Sequence, residues 1–134
     1  MYFLSEIPKI SEAEWEVMKT LWKTNPLTSE EIIEALSLKM SWSKQTIKTF
    51  ITRLIKKGVI GFKKDGRVYN YYPLISEGDC MKFENKSFIK KVYDGALNIL
   101  FSSFLEEENL SIDEIEELEK ILKEKKEKIN IRDL

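Results

Sequence analysis

The stretch SKQTIKTFITRLIKKGVIGFKKDGRVYNYYP (43–73) changes its period halfway along. Up to Lys57 the apolar residues recur at helical spacing. Ile47, Phe50, Ile51 and Leu54 fall on one side of a helical wheel, with Ile55 at its edge. Ser43 stands where an N-cap is wanted, and Gly58 where a helix ends in a left-handed residue. This predicts a helix over 43–57. Beyond Gly58 the period becomes two. Val59–Lys64 and Arg67–Tyr72 read as strands joined by Asp65-Gly66, a strong hairpin signal, and Pro73 closes the second strand.

Working outward, Ser11 with Glu14 and Thr28 with Glu31 form S/T-x-x-E capping boxes that open helices over 11–23 and 29–38. TNP (24–26) ends the first, and LKMSW (38–42) connects the second to the stretch above. Three short helices followed by a two-stranded hairpin is the order of a winged helix-turn-helix domain, with the hairpin as its wing. Trp15 and Trp22 lie on an apolar helical stripe and read as core. Trp42 reads as core or as an anchor of the turn. After Pro73 the chain is helical again. The pattern predicts a short helix over 76–82, a longer one from Ser87 to about Leu105, and a polar break EEEN (106–109). A third capping box, Ser111 with Glu114, starts a last helix that runs to about 127. The expected class is mainly α with a small β-hairpin: a winged helix-turn-helix domain over 1–74, then a helical dimerisation region over 75–134.

Charge marks one surface. The chain has a net charge of −1, yet from Lys39 to Lys64 there are eight basic side chains and no acidic one. The first 74 residues hold 12 Lys and Arg against 8 Asp and Glu, and the rest hold 10 against 15, so a basic front half precedes an acidic back half. On the third helix, the side opposite the apolar stripe presents Gln45, Thr49, Thr52 and Lys56, flanked by Thr46, Lys48 and Arg53. Each of these can donate a hydrogen bond. A major groove offers base edges to Gln, Thr and Lys, and phosphates on either side to Lys and Arg. The start of such a helix carries most base contacts. That points to Gln45, Thr46, Lys48 and Thr49 for the bases, and Ser43, Lys44 and Thr52 belong to the same expected DNA-binding set. Arg53, Lys56, Lys63, Lys64 and Arg67 are placed for phosphate. A winged helix used only for protein contacts is the alternative, and the basic wing argues against it.

The helix expected at 87–105 is apolar on more than one side, whereas the winged domain is complete by Pro73. Such surface is hidden against a second copy. The residues expected there are Phe88, Val92, Ala96, Leu97, Leu100, Phe101 and Phe104, with Ile115, Leu118 and Leu122 from the last helix. A two-fold dimer with one reading head per subunit expects inverted half-sites in duplex DNA.

Other classes have little footing. The chain of 134 residues contains no histidine, which removes the commonest general base and metal ligand. No glycine-rich phosphate loop or nucleophile motif is present, so neither an enzyme nor a cofactor or small-molecule substrate is expected. A single cysteine, Cys80, allows no intrachain disulfide and suits a reducing compartment. The start, MYFLSEIPK, lacks the marks of a signal peptide, and no apolar run is long enough to span a bilayer, so the expected location is the cytoplasm.

Four segments carry a more specific likeness. SEAEWEVMKTLW (11–22), WSKQTIKTFITRLIKKGVI (42–60), GRVYNYYPL (66–74) and LSIDEIEELEKIL (110–122) closely resemble the penicillinase-repressor family, the BlaI/MecI type, in the same order along the chain. The resemblance implies a homodimeric transcriptional repressor on dyad operators ahead of β-lactamase or penicillin-binding-protein genes. Its winged domain would bind DNA and its C-terminal helices would dimerise. It also implies a membrane sensor whose signal leads to proteolysis of the repressor. The family's Asn-Phe cleavage bond maps here to Ser103-Phe104, where Phe104 matches and Ser103 departs. Copper-responsive relatives carry a C-terminal Cys-x-Cys motif that this chain lacks, so no metal control is expected. The same fold acting on an unrelated regulon is the alternative within regulation.

Overall fold

The computed structural model describes residues 7–107 and 109–133. The first six residues, which open the segment inspected for a signal peptide, and Glu108 of the polar break lie outside them. Six helices and one hairpin follow in the order α1 (Glu12–Lys23), α2 (Ser29–Ser37), α3 (Lys44–Lys56), β1 (Ile60–Asp65), β2 (Val68–Pro73), α4 (Glu77–Tyr93), α5 (Leu97–Glu107) and α6 (Ile112–Arg132). The chain divides into two compact units, Met1–Ser87 and Phe88–Leu134.

In the first unit, both expected capping boxes form. Ser11 accepts from the Glu14 amide while Glu14 accepts from the Ser11 amide, and Thr28 and Glu31 repeat the exchange. These reciprocal bonds satisfy orphan helix-start amides, part-buried at Ser11 and exposed at Thr28. The apolar stripes of the three helices meet in one core. Val17, Met18 and Leu21 of α1 join Ile32, Ile33 and Leu36 of α2 and Ile47, Ile51 and Leu54 of α3. Val59 and Ile60 close it from the base of the hairpin, and Ile75 and Cys80 extend it past Pro73. The Trp22 indole donates to the Ile75 carbonyl at 2.9 Å, and Trp15 meets Trp22 edge-on, so both tryptophans are core-packed as expected.

The end of α3 is a Schellman motif. The Val59 amide donates to the Leu54 carbonyl and the Gly58 amide to the Ile55 carbonyl, with Gly58 at φ 76°. That left-handed residue turns the chain straight from α3 into β1. The hairpin pairs Ile60 with Pro73 through Asp65 with Val68. The expected link Asp65-Gly66 is therefore shifted by one residue: Gly66-Arg67 forms the turn. Gly66, at φ 63°, takes the first central position of a two-residue turn, and Arg67 has no positive φ. That is the II′ pattern rather than the I′ pattern of an Asp-Gly turn. Arg67 sits at the tip instead of in a strand. Leu27 and Tyr71 exchange two backbone hydrogen bonds, so the connector between α1 and α2 pairs with the wing.

After Pro73 the expected boundaries move. The short helix at 76–82 and the start at Ser87 merge into one helix, α4, whose first turn is held by the Ser76 hydroxyl accepting from the Asp79 amide. No proline or β-branched run interrupts residues 83–86, so nothing stops the helix there. The break falls instead at Asp94 and Gly95, both left-handed at φ 50° and 84°. The expected single helix over 87–105 is thus two, with Phe88 and Val92 on α4, Ala96 between, and Leu97, Leu100, Phe101 and Phe104 on α5. The third capping box, Ser111 with Glu114, opens α6 as expected. This helix runs past 127 to Arg132 through Lys and Glu residues of good helix propensity.

Candidate nucleic-acid interface

Helix α3 positions the candidate residues by its amphipathic spacing. Because Ile47, Ile51 and Leu54 are buried, their opposite numbers Gln45, Lys48, Thr52, Arg53 and Lys56 are held outward. Gln45, Lys48, Thr49, Thr52, Arg53 and Lys56 together line one shallow, open depression along the helix. Ser43 serves as the N-cap: its hydroxyl accepts from the Thr46 amide at 3.1 Å and lies 2.9 Å from the Thr46 hydroxyl. Trp42 packs edge-on against Phe50 at 5.1 Å, half-buried, and so fixes the turn that leads into α3. Lys44 is exposed in the first helical turn.

The threonines differ from the sequence expectation. Thr49 donates its hydroxyl to the Gln45 carbonyl at 2.9 Å and Thr52 to the Lys48 carbonyl at 3.0 Å. Back-bonding of this kind occupies the hydroxyl proton. Outward, these two residues present oxygen lone pairs and methyl groups rather than donors. The outward donors of the face are the Gln45 amide, the Lys44, Lys48 and Lys56 ammonium groups and the Arg53 guanidinium.

The eight basic residues of 39–64 separate into two kinds. Lys39 pairs with Glu16 at 3.0 Å, and this hydrogen bond is the main reason the Glu16 carboxyl sits below its ordinary range. Lys57 reaches into the fold, donating to the Glu14 carboxylate at 2.5 Å and to the Lys9 carbonyl at 2.8 Å. Glu14 is itself buried. Burial alone would raise its pKa, but hydrogen bonds from Lys57 and from the Ser11 amide and hydroxyl outweigh it and hold the carboxyl below its usual value. Lys44, Lys48, Arg53, Lys56, Lys63 and Lys64, and Arg67 at the wing tip, form no ion pair with an acidic group among the described residues.

On the wing, Lys63 and Lys64 alternate and so point to opposite faces of the hairpin. Lys64 lies over the Tyr69 ring at 5.7 Å, on the face that carries the aromatic cluster Phe62, Tyr69 and Tyr71. Tyr69 is a neighbour the sequence reading missed. The cross-strand pairing of Lys64 with Tyr69 gives it away once the register of the hairpin is fixed. On the other face, Gly61 lets the Tyr72 ring lie close, since a Cβ there would sit 2.9 Å from that ring.

Other chemistry is sparse. Burial, followed by the nearby Asp79 and Glu84 charges, pushes the Cys80 thiol up to about 11, so it is not a ready nucleophile. Among the described residues, no group of three or more His, Cys, Asp or Glu could hold a metal ion. No helix among them is long and apolar enough to cross a membrane.

Three helices, the third buried on one side and exposed on the other, and an adjoining two-stranded wing define a winged helix-turn-helix protein. The chain belongs to the penicillinase repressor family, whose model matches residues 10–124. It is 48% identical over 117 residues, covering 87% of this chain and 95% of the relative, to the methicillin resistance regulatory protein MecI of Mammaliicoccus sciuri. It is 45% identical over 123 residues, 92% of this chain and 96% of the relative, to the penicillinase repressor of Bacillus licheniformis. Among solved structures, the DNA-binding domain of the repressor BlaI matches at 49% identity and a TM-score of 0.51, covering 55% of this chain and 89% of that one. The monomeric form of Bacillus licheniformis BlaI in complex with the blaP half-operator matches at 49% identity and 0.50, with the same coverage.

Proposed function

We propose that this chain is a transcriptional repressor that grips operator DNA as a homodimer, its targets being β-lactamase or other β-lactam-resistance genes. The observation that carries this reading is the surface of α3 and the wing, where seven cations stand without an acidic partner among the described residues. In a family whose solved member sits on a half-operator, such a surface fits phosphates on both sides of a groove. Gln45 and Lys48 would read base edges. Thr49 and Thr52 would offer lone pairs and methyl groups, the latter suited to thymine. Lys44, Arg53, Lys56, Lys63, Lys64 and Arg67 would neutralise phosphates. Ser43 and Thr46 would act by capping α3 and so fixing its first turn.

Dimerisation follows from the apolar side chains that the second unit leaves exposed. Phe88, Val92, Leu97, Phe101, Phe104, Ile115, Leu118 and Leu122 stay outside any core, with Ala96 and Leu100 only half-buried. A second copy covers them, and two tethered reading heads then bind at high effective concentration. Release by proteolysis at Ser103-Phe104, under a membrane sensor's signal, completes the proposal. That bond lies within α5, so a protease has to open the helix to reach it, and α5 has no buried side chain to resist opening. Bound to a chromosome, the protein works in the cytoplasm.

The test is footprinting on an inverted repeat upstream of a β-lactam-resistance gene. Two symmetric protected half-sites, one or more helical turns apart, are expected. A single protected patch, or none at a concentration that saturates dimer formation, overturns the proposal.

A further inference from the structure

Lys57 stands at the joint between the two parts of the basic surface. Arg53 and Lys56 lie on the last turn of α3 before it, and Lys63, Lys64 and Arg67 lie on the wing beyond it. Its backbone caps α3, and Gly58, at φ 76°, then turns the chain toward β1. The angle between helix and wing is therefore set at this joint. The Lys57 side chain reaches back into the fold. Its ammonium donates to Oε1 of Glu14 at 2.5 Å and to the Lys9 carbonyl at 2.8 Å. Both acceptors are themselves held. Oε1 of Glu14 also accepts from the Ser11 amide at 2.9 Å, in the capping box of α1. Ile7 and Ile10, on either side of Lys9, are buried at 4 and 7% exposure. Lys57 thus ties the joint to the start of α1 and to the segment that leads into it.

Stability alone is a poor account of this tie. Glu14 is 1% exposed, and its Oε2 has no hydrogen-bond partner among the described residues. A carboxylate buried with one oxygen unsatisfied gives up hydration that its ion pair returns only in part. An apolar pair of similar volume would fill the same space without that loss. What the ion pair adds is direction, because the ammonium has to stay within hydrogen-bond reach of two fixed oxygens.

We propose that Lys57 is a positioning residue of the DNA interface, holding through Glu14 and the Lys9 carbonyl the angle at which α3 and the wing meet one duplex. This rests on the DNA-binding reading above and deepens it. Helix and wing engage together only at the spacing the duplex sets, so a joint free to swing loses affinity without losing a phosphate contact. Lys57 therefore stands outside the phosphate-neutralising set to which its neighbour Lys56 belongs.

A double-substitution cycle on the full-length protein tests this, with binding to a labelled inverted-repeat duplex followed by anisotropy over a range of salt. Folding of each variant is checked by circular dichroism. Lys57→Met is expected to weaken binding about tenfold while the salt slope stays unchanged. Glu14→Gln should weaken binding too, and the double variant should bind no more weakly than Lys57→Met alone, because both changes break one tie. A phosphate contact held back by Glu14 would behave in the opposite way. Lys57→Met would then make the slope shallower by about one, and Glu14→Gln, by freeing the ammonium, would tighten binding. Either result overturns the proposal. Unchanged affinity in variants that remain folded overturns it as well, leaving the pair a structural contact only. If Lys57→Met does not fold, the sign of the Glu14→Gln effect decides. All of these outcomes leave the DNA-binding reading standing, whereas a native chain that does not bind the duplex removes that reading and the positioning role with it.

Discussion

The two units of this chain treat their apolar residues in opposite ways. In the first, helices of 9 to 13 residues and a hairpin of two six-residue strands drive fifteen apolar side chains out of water, and Leu54, Ile47 and Ile32 are wholly buried. In the second, α5 and α6 expose Leu97, Phe101, Phe104, Leu118 and Leu122, and none of their described side chains is buried. The first unit therefore carries its stability within one chain. The second leaves apolar surface exposed, and in the proposed homodimer a second copy would cover it, which makes its stabilisation depend on concentration.

Breaking either side of that contrast has a distinct signature. The largest effect is expected for Leu54→Ala, which removes a fully buried side chain beneath α3. Denaturant unfolding of the first unit should lose about 2–5 kcal/mol, at any protein concentration. Leu97→Asp acts in the other unit. Sedimentation should show a monomer and operator occupancy should fall at working concentrations, while unfolding of the first unit stays unchanged. A stable dimer for this variant would put the interface elsewhere. Lys48→Ala leaves both units folded and should cost roughly 1–3 kcal/mol on operator DNA if the ammonium reads a base. An affinity that falls equally on all sequences, with a shallower salt slope, would move Lys48 to the phosphate set. The smallest effect concerns Glu14. Its carboxyl is held below the ordinary value in the folded state, so its contribution is present above the unfolded pKa and is lost as pH falls through the folded one. A pH titration of stability should therefore decline on the acid side for the native chain and be flatter there for Glu14→Gln. Equal curves would mean the pair with Lys57 adds nothing.

Local chemistry was the legible part of the sequence. All three capping boxes, at Ser11, Thr28 and Ser111, sit where a hydroxyl and a glutamate three residues on announce them, because that exchange involves one turn only. The buried side of α3 was equally readable from its spacing. What escaped depended on contacts distant in the chain or on competing turn types. Lys56 and Lys57 are adjacent, yet one faces solvent and the other meets buried Glu14, 43 residues earlier. The helical wheel already sets Lys56 outward and leaves Lys57 out of the DNA-facing set, but only the placement of α1 against α3 supplies Lys57 with its buried partner. The inward hydroxyls of Thr49 and Thr52 are likewise a choice of rotamer that no pattern records. Asp94-Gly95 is a turn dipeptide that went unread, since Val92 and Tyr93 before it and Ala96 and Leu97 after it continue the apolar run. The wing turn slipped by one residue because Gly66 serves either of two turn types, and only the pairing of Asp65 with Val68 decides between them.

The grip of the α3 and wing cations on duplex phosphate is tested most directly by the salt dependence of binding to dyad DNA, followed by fluorescence anisotropy of a labelled duplex. A steep, linear fall of log affinity with log salt is predicted, with a slope shallower by about one for each removal of Arg53 or Lys56. A flat salt response, or a slope that neither substitution changes, would contradict it.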